Sequence, residues 1–524
     1  MRGDLEWGTI PGLLDSAAER FGAREAVVDG DTRITFEHLR SAARHAARAS
    51  IAMGVERGDR VAIWGPNIHE WIVAALGASY AGAVLVPINT RFKGREAGFV
   101  LQKSRAKLLF TVRGFLDIDY PELLREAGVD GPPIVLLRGE GETDWETFAR
   151  RGEEVDEAIV DKRAAGVTPE DLSDIIFTSG TTGQPKGVMT THAQSLRVFE
   201  VWSDIVGLRE GDRYLIVNPF FHTFGYKAGI LACLMRGATI VPHAVFDPGQ
   251  VMRRIGEEKI TVLPGPPTLY QSILNDPARA TLDLSSLRLA VTGAAVVPVE
   301  LIKRMRSDLT FDTILTAYGL TESTGTATMC RPDDDAETIA NTSGCAIPDT
   351  EVRAVDDDGK EVARGEPGEI VVKGYNVTQG YFEEPEQTAA TIIDGWLHTG
   401  DIGVMDARGY VKITDRKKDM FIVGGFNAYP AEIENELLRH EDIAQVAVVG
   451  APDERLGEVG VAFVVPKANR SLDPDLITSW AKSQLANYKV PRLVIPVEAL
   501  PMNASGKVLK YELRAQAKQA MEAR

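Results

Sequence analysis

The sequence DIIFTSGTTGQPKGVMTTH, residues 174–192, places an apolar run directly before a loop of small and hydroxylated residues. Ile175, Ile176 and Phe177 are typical of a buried strand. Glycine lets a backbone approach a ligand closely, and amide and hydroxyl groups donate hydrogen bonds to anions. The loop therefore predicts a phosphate-binding cradle, formed by Thr178, Ser179, Gly180, Thr181, Thr182, Gly183 and Lys186.

The spacing within this loop does not match the Walker pattern GxxxxGK[ST], and no GxGxxG dinucleotide pattern occurs in the chain. An ordinary turn is the alternative, because short Gly/Ser/Thr loops after strands are common. The choice between them depends on what other motifs the chain carries.

Two apolar runs downstream also end in small residues. Residues 260–263 lead into Pro-Gly-Pro-Pro at 264–267, and residues 289–291 lead into Thr-Gly-Ala-Ala at 292–295. In open α/β sheets, ligands gather at the carboxyl ends of strands. Gly265, Gly293, Ala294 and Ala295 are therefore candidates for a ligand site, with plain turn chemistry as the alternative.

Four further motifs contain charged residues: YGLTE at 318–322, WLHTGD at 396–401, TDRKKD at 414–419 and PMNASGK at 501–507. Taken alone, a charged residue such as Glu322 or Lys507 is more typical of a solvated surface. A fifth motif, NPFFHTFG at 218–225, surrounds His222 with aromatic residues, and a lone histidine in such a place is more often a core residue than a functional one.

Taken together and in this order, the motifs resemble those of the adenylate-forming superfamily, which contains acyl-CoA synthetases, luciferases and the adenylation domains of peptide synthetases. The resemblance runs from Thr178 to Lys507, and FTSGTTGQPKG, YGLTE, WLHTGD and DRKKD carry it with the final lysine motif. It implies an acid–thiol ligase that converts a carboxylic acid to an acyl-adenylate and then to an acyl-CoA thioester, releasing AMP and pyrophosphate. ATP, Mg²⁺ and coenzyme A are the implied cofactors.

The resemblance also implies roles for single residues. Residues 293–295 would line the adenine, the ring of Tyr318 would stack on it, and Gly319 would also belong to the nucleotide site. Thr321 would contact the α-phosphate and Glu322 would bind magnesium, which a carboxylate needs in order to approach a triphosphate. His222 would gate the carboxylate pocket.

Toward the C-terminus, Asp401 and Arg416 would bind the ribose hydroxyls, and Lys418 would be a hinge. Gly424 and Gly425 would line the path of the CoA pantetheine, and Lys507 would be the catalytic lysine.

A chain of 524 residues is too long for one hydrophobic core. Strands and helices alternate between residues 26 and 87, which favours a parallel sheet covered on both faces, whereas residues 351–380 favour a small antiparallel β subdomain. We expect residues 117–161 to be a peripheral connection. With the resemblance, the prediction is an α/β adenylate-forming domain of layered sheets and helices over residues 1–417, followed by a smaller mobile α+β lid over residues 418–524.

The net charge of −17 argues against a general affinity for nucleic acid or anionic membranes. Three cysteines without metal-ligand spacing, and an N-terminus without a signal-peptide pattern, favour the cytoplasm. The most apolar stretch, residues 71–87, is too short to span a bilayer. We expect small-molecule partners only, and the sequence leaves a homodimer open.

For the acid, the chain resembles bacterial CoA ligases that activate the indanedione propanoate (HIP) left after degradation of steroid rings A and B. NPFFHTFGYKAGILACL, TVLPGPPTLYQSIL and LTAYGLTESTGTATMCRPDDD carry this resemblance, while Thr223, Ser323 and Thr324 depart from it. The predicted acyl pocket comprises Phe221, His222, Tyr226, Lys227, Gly265, Gly293 and Ser323. Lys227 with Tyr226 would hydrogen-bond a ring ketone, or else point outward to solvent.

Several alternatives share these motifs. A medium- or long-chain fatty acyl-CoA ligase would differ only in the shape of the pocket. An enzyme that loads a carrier protein would need a separate partner, because no carrier pattern occurs here. A luciferase would carry a second lysine after the hinge, where this chain has Ile422, and a non-catalytic relative would be expected to lack Glu322 or Lys507.

Overall fold

The computed structural model describes residues 2–141, 143–178, 185–293, 297–416, 419–423, 426–453, 456–468, 470–485, 487–502 and 508–522. The chain divides into two compact units. The first consists of Met1–Val352 with Val372–Leu397, and the second of Arg353–Val371 with His398–Arg524.

The first unit contains these strands: β1 (Glu25–Asp29), β2 (Thr32–Thr35), β3 (Arg60–Trp64), β4 (Val84–Pro87), β5 (Ala106–Phe115), β6 (Ile118–Asp119), β7 (Ile134–Arg138), β8 (Leu172–Thr178), β9 (Lys186–Thr191), β10 (Arg213–Ile216), β11 (Thr239–Pro242), β12 (Leu289–Gly293), β13 (Thr313–Tyr318), β14 (Thr328–Met329) and β15 (Cys345–Ala346).

Three sheets arise from these strands. The largest has the order β6-β5-β3-β4-β8-β9 with β7 beside β5, and β3, β4, β5, β7 and β8 run parallel within it. The second has the order β10-β11-β1-β2 and the third β12-β13-β14-β15. A single bridging residue, Val262, pairs with Tyr214 on one side and Leu289 on the other, which places the second and third sheets edge to edge.

The helices of the first unit are α1 (Gly3–Glu6), α2 (Ile10–Phe21), α3 (Phe36–Ala52), α4 (His69–Tyr80), α5 (Gly94–Ser104), α6 (Tyr120–Glu126), α7 (Trp145–Arg151), α8 (Glu157–Gly166), α9 (His192–Ile205), α10 (Ala232–Arg236), α11 (Pro248–Glu258), α12 (Pro267–Asn275), α13 (Val299–Asp308), α14 (Ala336–Asn341) and α15 (Pro385–Thr391). Short 3₁₀ turns cover Gly152–Glu154, Pro277–Thr281 and Thr321–Ser323, and a π-helix covers Phe224–Leu231.

The local chemistry of the sequence explains several of these elements. Thr35 accepts a hydrogen bond from the His38 N–H and so begins α3. Helix α4 is apolar on nearly every face because it is buried almost completely, and its Gly77 lets it approach α3. A Cβ at Gly77 would stand only 2.8 Å from the Cβ of Ala46.

The division between the units falls within three strands: β16 (Thr350–Val355), β17 (Pro367–Gly374) and β19 (Trp396–Met405). Strand β18 (Ile392–Ile393) pairs with β19 inside the first unit, and β20 (Val411–Arg416) pairs with β19 inside the second. The β subdomain predicted for residues 351–380 is therefore present, but part of it groups with the C-terminal residues rather than with the N-terminal ones.

The rest of the second unit comprises β21 (Phe421–Val423), β22 (Phe426–Ala428), α16 (Pro430–Leu437), β23 (Ile443–Asp453), β24 (Gly457–Pro466), α17 (Pro474–Gln484), a 3₁₀ turn (Asn487–Lys489), β25 (Leu493–Pro496) and α18 (Lys510–Glu522). Alternate residues of β23 face opposite sides of the sheet. Val446 and Val448 pack with α16 and α17, whereas Ala447 and Val449 pack with α18. This is the compact α+β module that the sequence predicts.

Two expectations need correction. Residues 117–161 are more than a connection, because β7 lies parallel to β5 in the largest sheet. The apolar run at 260–263 forms no extended strand, only the isolated bridge of Val262. Within the described residues, no helix combines the length and the apolarity needed to cross a bilayer.

Candidate active site

The predicted phosphate cradle follows the point where β8 and β9 pair in an antiparallel hairpin. Thr178 lies opposite Lys186 at the last pair of this ladder, beside the loop. Ser179, Gly180, Thr181, Thr182 and Gly183, which the sequence predicts to bind phosphate, lie outside the described residues. Gly187 keeps the hairpin closely packed, since a Cβ there would stand 2.7 Å from Cγ2 of Ile175.

A segment from 379 to 382 runs beside β9. The Met189 N–H donates to the Gly380 carbonyl at 2.9 Å, and the Phe382 N–H donates to the Gly187 carbonyl at 2.7 Å. Val188 and Tyr381 form an antiparallel bridge between these bonds. The backbone thereby fixes Tyr381 next to the strand that carries Lys186.

Lys186 itself is held by two contacts on this side of the first unit. Its Nζ donates to Gln387 Oε1 at 2.7 Å and lies 5.3 Å from the centroid of the Tyr381 ring. A cation at that distance from an aromatic face is attracted to it. These two contacts orient the ammonium group of Lys186.

Glu322 lies in the 3₁₀ turn Thr321–Ser323, directly after β13. The Tyr381 hydroxyl donates to Glu322 Oε1 at 2.9 Å, and the Thr378 N–H donates to the Glu322 carbonyl at 3.0 Å. Burial raises the pKa of Tyr381 well above its usual range, and the negative charge of Glu322 raises that pKa further. The tyrosine is therefore a hydrogen-bond donor at any physiological pH.

The predicted adenine wall lies at the carboxyl ends of β12 and β13. Gly293 pairs with Ala317, the residue before Tyr318, and a Cβ on Gly293 would stand 3.0 Å from the Ala317 carbonyl oxygen. Gly319 is closer still to its neighbours, because a Cβ there would meet the Gly325 carbonyl oxygen at 2.4 Å. Gly293 thus lies across from the residue that precedes Tyr318, while Ala294 and Ala295 lie outside the described residues.

The segment carrying His222 follows β10 and is anchored by Asn67. The Asn67 amide donates to the carbonyls of Ile216 and Asn218 at 3.0 and 2.9 Å, and its Oδ1 accepts from the Phe220 N–H at 2.8 Å. These three bonds orient the chain as it leaves the sheet. Phe221, also a predicted pocket residue, is half-buried immediately before His222.

His222 is exposed to solvent, yet protein atoms surround it densely enough that desolvation lowers its pKa. Its Nδ1 accepts from the Phe224 N–H at 3.2 Å, which favours the tautomer protonated on Nε2. The role of His222 as a gate to the carboxylate pocket stays a prediction.

The next residue brings this segment against the YGLTE motif. A Cβ on Gly325 would stand 2.4 Å from Thr223 Cγ2, and Gly325 has a φ of +94° that glycine adopts readily. Thr223 is buried at this contact. The segment that follows His222 therefore packs against Gly325, just after the 3₁₀ turn that carries Glu322.

The structure assigns other roles to three predicted acyl-pocket residues. Lys227 is fully buried, and its Nζ lies 2.9 Å from Asp174 Oδ1, so its partner is a carboxylate of β8 rather than a substrate ketone. Tyr226 is buried with its ring edge-on to Trp71. The Ser323 hydroxyl is buried and bonds the N–H and carbonyl of Leu320, which leaves it a local cap.

Gly265 is buried at the end of the 260–263 run, where its N–H donates to the Val291 carbonyl at 3.0 Å. It therefore lies between the second and third sheets, near the strand that leads to Gly293. Because residues 260–263 form only the isolated bridge of Val262, Gly265 does not follow an extended strand, and its place in the acyl pocket stays a prediction.

In the second unit, Asp401 and Arg416 are direct partners across the β19–β20 ladder. The Asp401 N–H donates to Thr399 Oγ1 at 3.1 Å, and Thr399 Oγ1 donates to the Ile370 carbonyl at 2.6 Å. The two residues predicted to bind ribose thus lie side by side on the backbone.

Lys418, Gly424, Gly425 and Lys507 lie outside the described residues. The described residues on either side of the segment 503–507 pair with one another. Met502 and Val508 form an antiparallel bridge, and the Leu509 N–H donates to the Pro501 carbonyl at 2.8 Å.

Sequence reasoning missed Tyr381, Gln387 and Asn67. Each is an uncharged residue in a loop or at a helix end, without a chemical signature of its own. Only the fold shows that they contact Glu322, Lys186 and the His222 segment.

Two family models match the chain, one over its N-terminal part and one near its C-terminus. The model described as AMP-binding enzyme matches residues 14–382, and that described as AMP-binding enzyme C-terminal domain matches residues 432–507. The chain belongs to the AMP-binding enzyme family, whose members form adenylates.

Two relatives indicate the kind of enzyme within this family that the chain resembles. The chain is 51% identical over 520 residues to the 3-[(3aS,4S,7aS)-7a-methyl-1,5-dioxo-octahydro-1H-inden-4-yl]propanoyl:CoA ligase of Rhodococcus jostii (strain RHA1), covering 97% of this chain and 99% of that one. It is 49% identical to the ligase of the same name from Mycobacterium tuberculosis (strain ATCC 25618 / H37Rv), with coverage of 97% and 98%. The prediction of an AMP-forming acyl-CoA synthetase is confirmed.

Among solved structures, the chain is similar to the anthranilate CoA ligase AuaEII in complex with anthranoyl-AMP, with a TM-score of 0.88, 28% identity and coverage of 98% of both chains. It is also similar to ATP-bound MatB from Rhodopseudomonas palustris, with a TM-score of 0.87, 29% identity and coverage of 98% and 99%. These likenesses confirm the predicted fold class. ATP and coenzyme A are the substrates that the ligases of this family share.

Proposed function

We propose that this enzyme activates the steroid-derived indanedione propanoate HIP and thus serves in the degradation of steroid rings C and D. The observation that carries this proposal is the identity of about half of all residues, over nearly the whole chain, to two ligases named for that acid. A medium-chain fatty acid is the second candidate, because a medium-chain acyl-CoA ligase of Mus musculus is 32% identical over 98% of this chain.

In the first half-reaction, the carboxylate of the acid attacks the α-phosphorus of ATP and pyrophosphate leaves. Thr178, Lys186 and the loop between them would hold the phosphates, and Thr321 would donate to the α-phosphate. The acid would enter past His222. Tyr318 and Gly293 would enclose the adenine.

Glu322 is the residue that would hold Mg²⁺. Magnesium prefers oxygen ligands from one or two carboxylates together with substrate phosphates, and the half-buried carboxylate of Glu322 after β13 offers such a ligand. Bound there, Mg²⁺ would supply positive charge that reduces the repulsion between the acid and the phosphates.

In the second unit, Asp401 and Arg416 would bind the ribose, Lys418 would be the hinge of a mobile lid over residues 418–524, and Gly424 with Gly425 would leave room for pantetheine. A cytoplasmic location and a homodimer also remain predictions. The three cysteines are free thiols, which suits a reducing compartment.

Lys507 tests how the two half-reactions are divided. Because a cation placed where charge develops is worth about 10²–10³ in rate, Lys507→Ala should slow adenylation by about that factor. Thioester formation from supplied acyl-adenylate should change far less, since the proposal gives Lys507 a role only in the first half. Lys518→Ala, which removes an exposed lysine of α18, is the matched control. Equal losses in both halves would contradict this assignment.

The substrate is tested with a panel of acids. The purified protein is incubated with Mg-ATP, CoA and acids that range from short to long fatty acids and aryl acids to HIP, and AMP and acyl-CoA are measured together. We expect the highest kcat/KM with HIP. A higher value with a linear acid would refute the steroid substrate and leave the acyl-CoA synthetase activity intact.

A further inference from the structure

Tyr381 joins two residues that the proposed function assigns to the nucleotide. Its hydroxyl donates to Glu322 Oε1 at 2.9 Å, and its ring lies 5.3 Å from Lys186 Nζ. Glu322 follows β13 of the third sheet, and Lys186 begins β9 of the largest sheet. One side chain thus contacts functional groups that belong to two different sheets.

The backbone leaves Tyr381 little freedom. Its N–H donates to Thr388 Oγ1 at 2.9 Å, and its bridge to Val188 is flanked by the bonds from Met189 to Gly380 and from Phe382 to Gly187. The preceding residue, Gly380, has a φ of +95°, and a Cβ there would stand 2.2 Å from Thr388 Cγ2. The tight turn at Gly380 therefore fixes the orientation of the Tyr381 ring.

A glutamate side chain has several rotatable bonds, and ordering it upon binding costs free energy. A hydrogen bond made beforehand removes part of that cost. Since Tyr381 uses only Oε1, the second carboxylate oxygen stays available for a cation. The ring in turn restrains Lys186, whose Nζ is also bonded to Gln387 Oε1 at 2.7 Å.

We propose that Tyr381 is a positioning residue for magnesium-bound ATP, in which the hydroxyl orients the carboxylate of Glu322 and the ring orients the ammonium group of Lys186. The inference rests on the proposed function, because it takes Glu322 as the magnesium ligand. Tyr381 itself transfers no proton and forms no bond to the substrate.

Tyr381→Phe separates the two contacts, because it removes the hydroxyl and keeps the ring under Lys186. A hydrogen bond to a charged group contributes about 1.5–3 kcal/mol, which corresponds to a loss of about tenfold or more. We expect the dissociation constant of Mg-ATP, measured by calorimetry without acid, to rise about tenfold, whereas that of ATP in EDTA should not change. The Mg²⁺ concentration for half-maximal pyrophosphate exchange should rise similarly, with the KM of the acid unchanged.

Tyr375→Phe is the matched control. Tyr375 is also partly buried in the first unit, its ring stacks on Arg197 at 3.8 Å, and its hydroxyl makes no hydrogen bond to any described residue. This variant should bind Mg-ATP like the parent. Equal weakening in both variants would overturn the proposal, since it would reveal a general effect of losing a tyrosine hydroxyl.

A double-mutant cycle with Glu322→Gln tests whether Tyr381 acts through the carboxylate. If it does, Tyr381→Phe should change Mg-ATP affinity little once Glu322 is already glutamine. Additive losses would overturn the proposal. Failure of the proposed function gives a different result from failure of this inference. If the proposed function is wrong, the parent enzyme catalyses no pyrophosphate exchange with any acid of the panel. If only the role of Tyr381 is wrong, the parent enzyme is active and the Mg²⁺ titrations of the parent and of Tyr381→Phe coincide.

Discussion

The buried ion pair between Lys227 and Asp174 joins the π-helix after His222 to the strand that leads to the phosphate cradle. The Nζ and Oδ1 atoms are 2.9 Å apart, and both side chains are almost completely buried. The Ser173 hydroxyl donates to the other Asp174 oxygen at 2.6 Å. Burial lowers the pKa of Lys227, while the charge of Asp174 counteracts that effect. The lysine is thus a fixed part of the packing beneath the site.

Removing only one partner should be costly. Lys227→Met leaves the Asp174 carboxylate buried without its counter-charge, and breaking a buried pair in this way costs about 3–5 kcal/mol. We therefore expect a lower free energy of unfolding in urea and a reduced activity toward keto-acids and linear acids alike.

The double variant Lys227→Met with Asp174→Asn removes both charges and should recover much of the lost stability. A single variant as stable as the parent, yet impaired only with keto-acids, would show instead that Lys227 contacts the substrate.

At the scale of elements, the sequence predicts best where the local pattern and the packing agree. β3, α4 and β4 lie within residues 26–87, where the sequence predicts alternating strands and helices, because an apolar run between turn residues can hardly be anything but a buried element. The resemblance predicts that Asp401 and Arg416 both bind the ribose, but their direct pairing across the β19–β20 ladder required the structure.

Other elements depend on partners far away in the chain. β7 is an apolar run among charged residues, and only its pairing with β5 makes it part of the largest sheet. The π-helix Phe224–Leu231 has the composition of an ordinary buried helix, and its wider turn is not encoded by residue type. The ion pair of Lys227 could not be predicted for the same reason. The charge of the lysine is visible in the sequence, but the carboxylate that pairs with it, Asp174, lies on another element.

At the scale of the whole molecule, the acidic net charge of −17 leaves the binding of a polyanion such as ATP to local groups. Each unit has hydrophobic core residues of its own. In the first unit, the core includes residues from most of the helices. In the second unit, two core clusters lie on the two faces of the β23–β24 sheet. The predicted site residues are therefore distributed over both units, since Lys186 and Glu322 belong to the first and Asp401 to the second.

Two buried groups should make the first unit sensitive to acid. His192 begins α9, and its Nδ1 accepts from the Ile10 N–H of α2 at 3.2 Å. Burial lowers its pKa from 6.5 to about 4, so it folds as the neutral form. Asp29 has its pKa lowered from 3.8 to about 2, because the hydrogen bonds from His69 and the charge of Arg138 outweigh the opposing effect of burial.

Both shifts destabilise the fold as the pH falls, since in each case the unfolded chain binds a proton more readily than the folded one. The contribution of His192 is fully present above pH 6.5 and is lost as the pH falls to about 4, by about 3 kcal/mol at about 1.36 kcal/mol per pH unit. Asp29 adds a second loss between pH 3.8 and about 2. Urea unfolding from pH 8 to pH 4 measures the first step. His192→Asn keeps an acceptor near the Ile10 N–H but does not titrate, so its stability should vary much less across that range, and an unchanged slope would refute the assignment to His192.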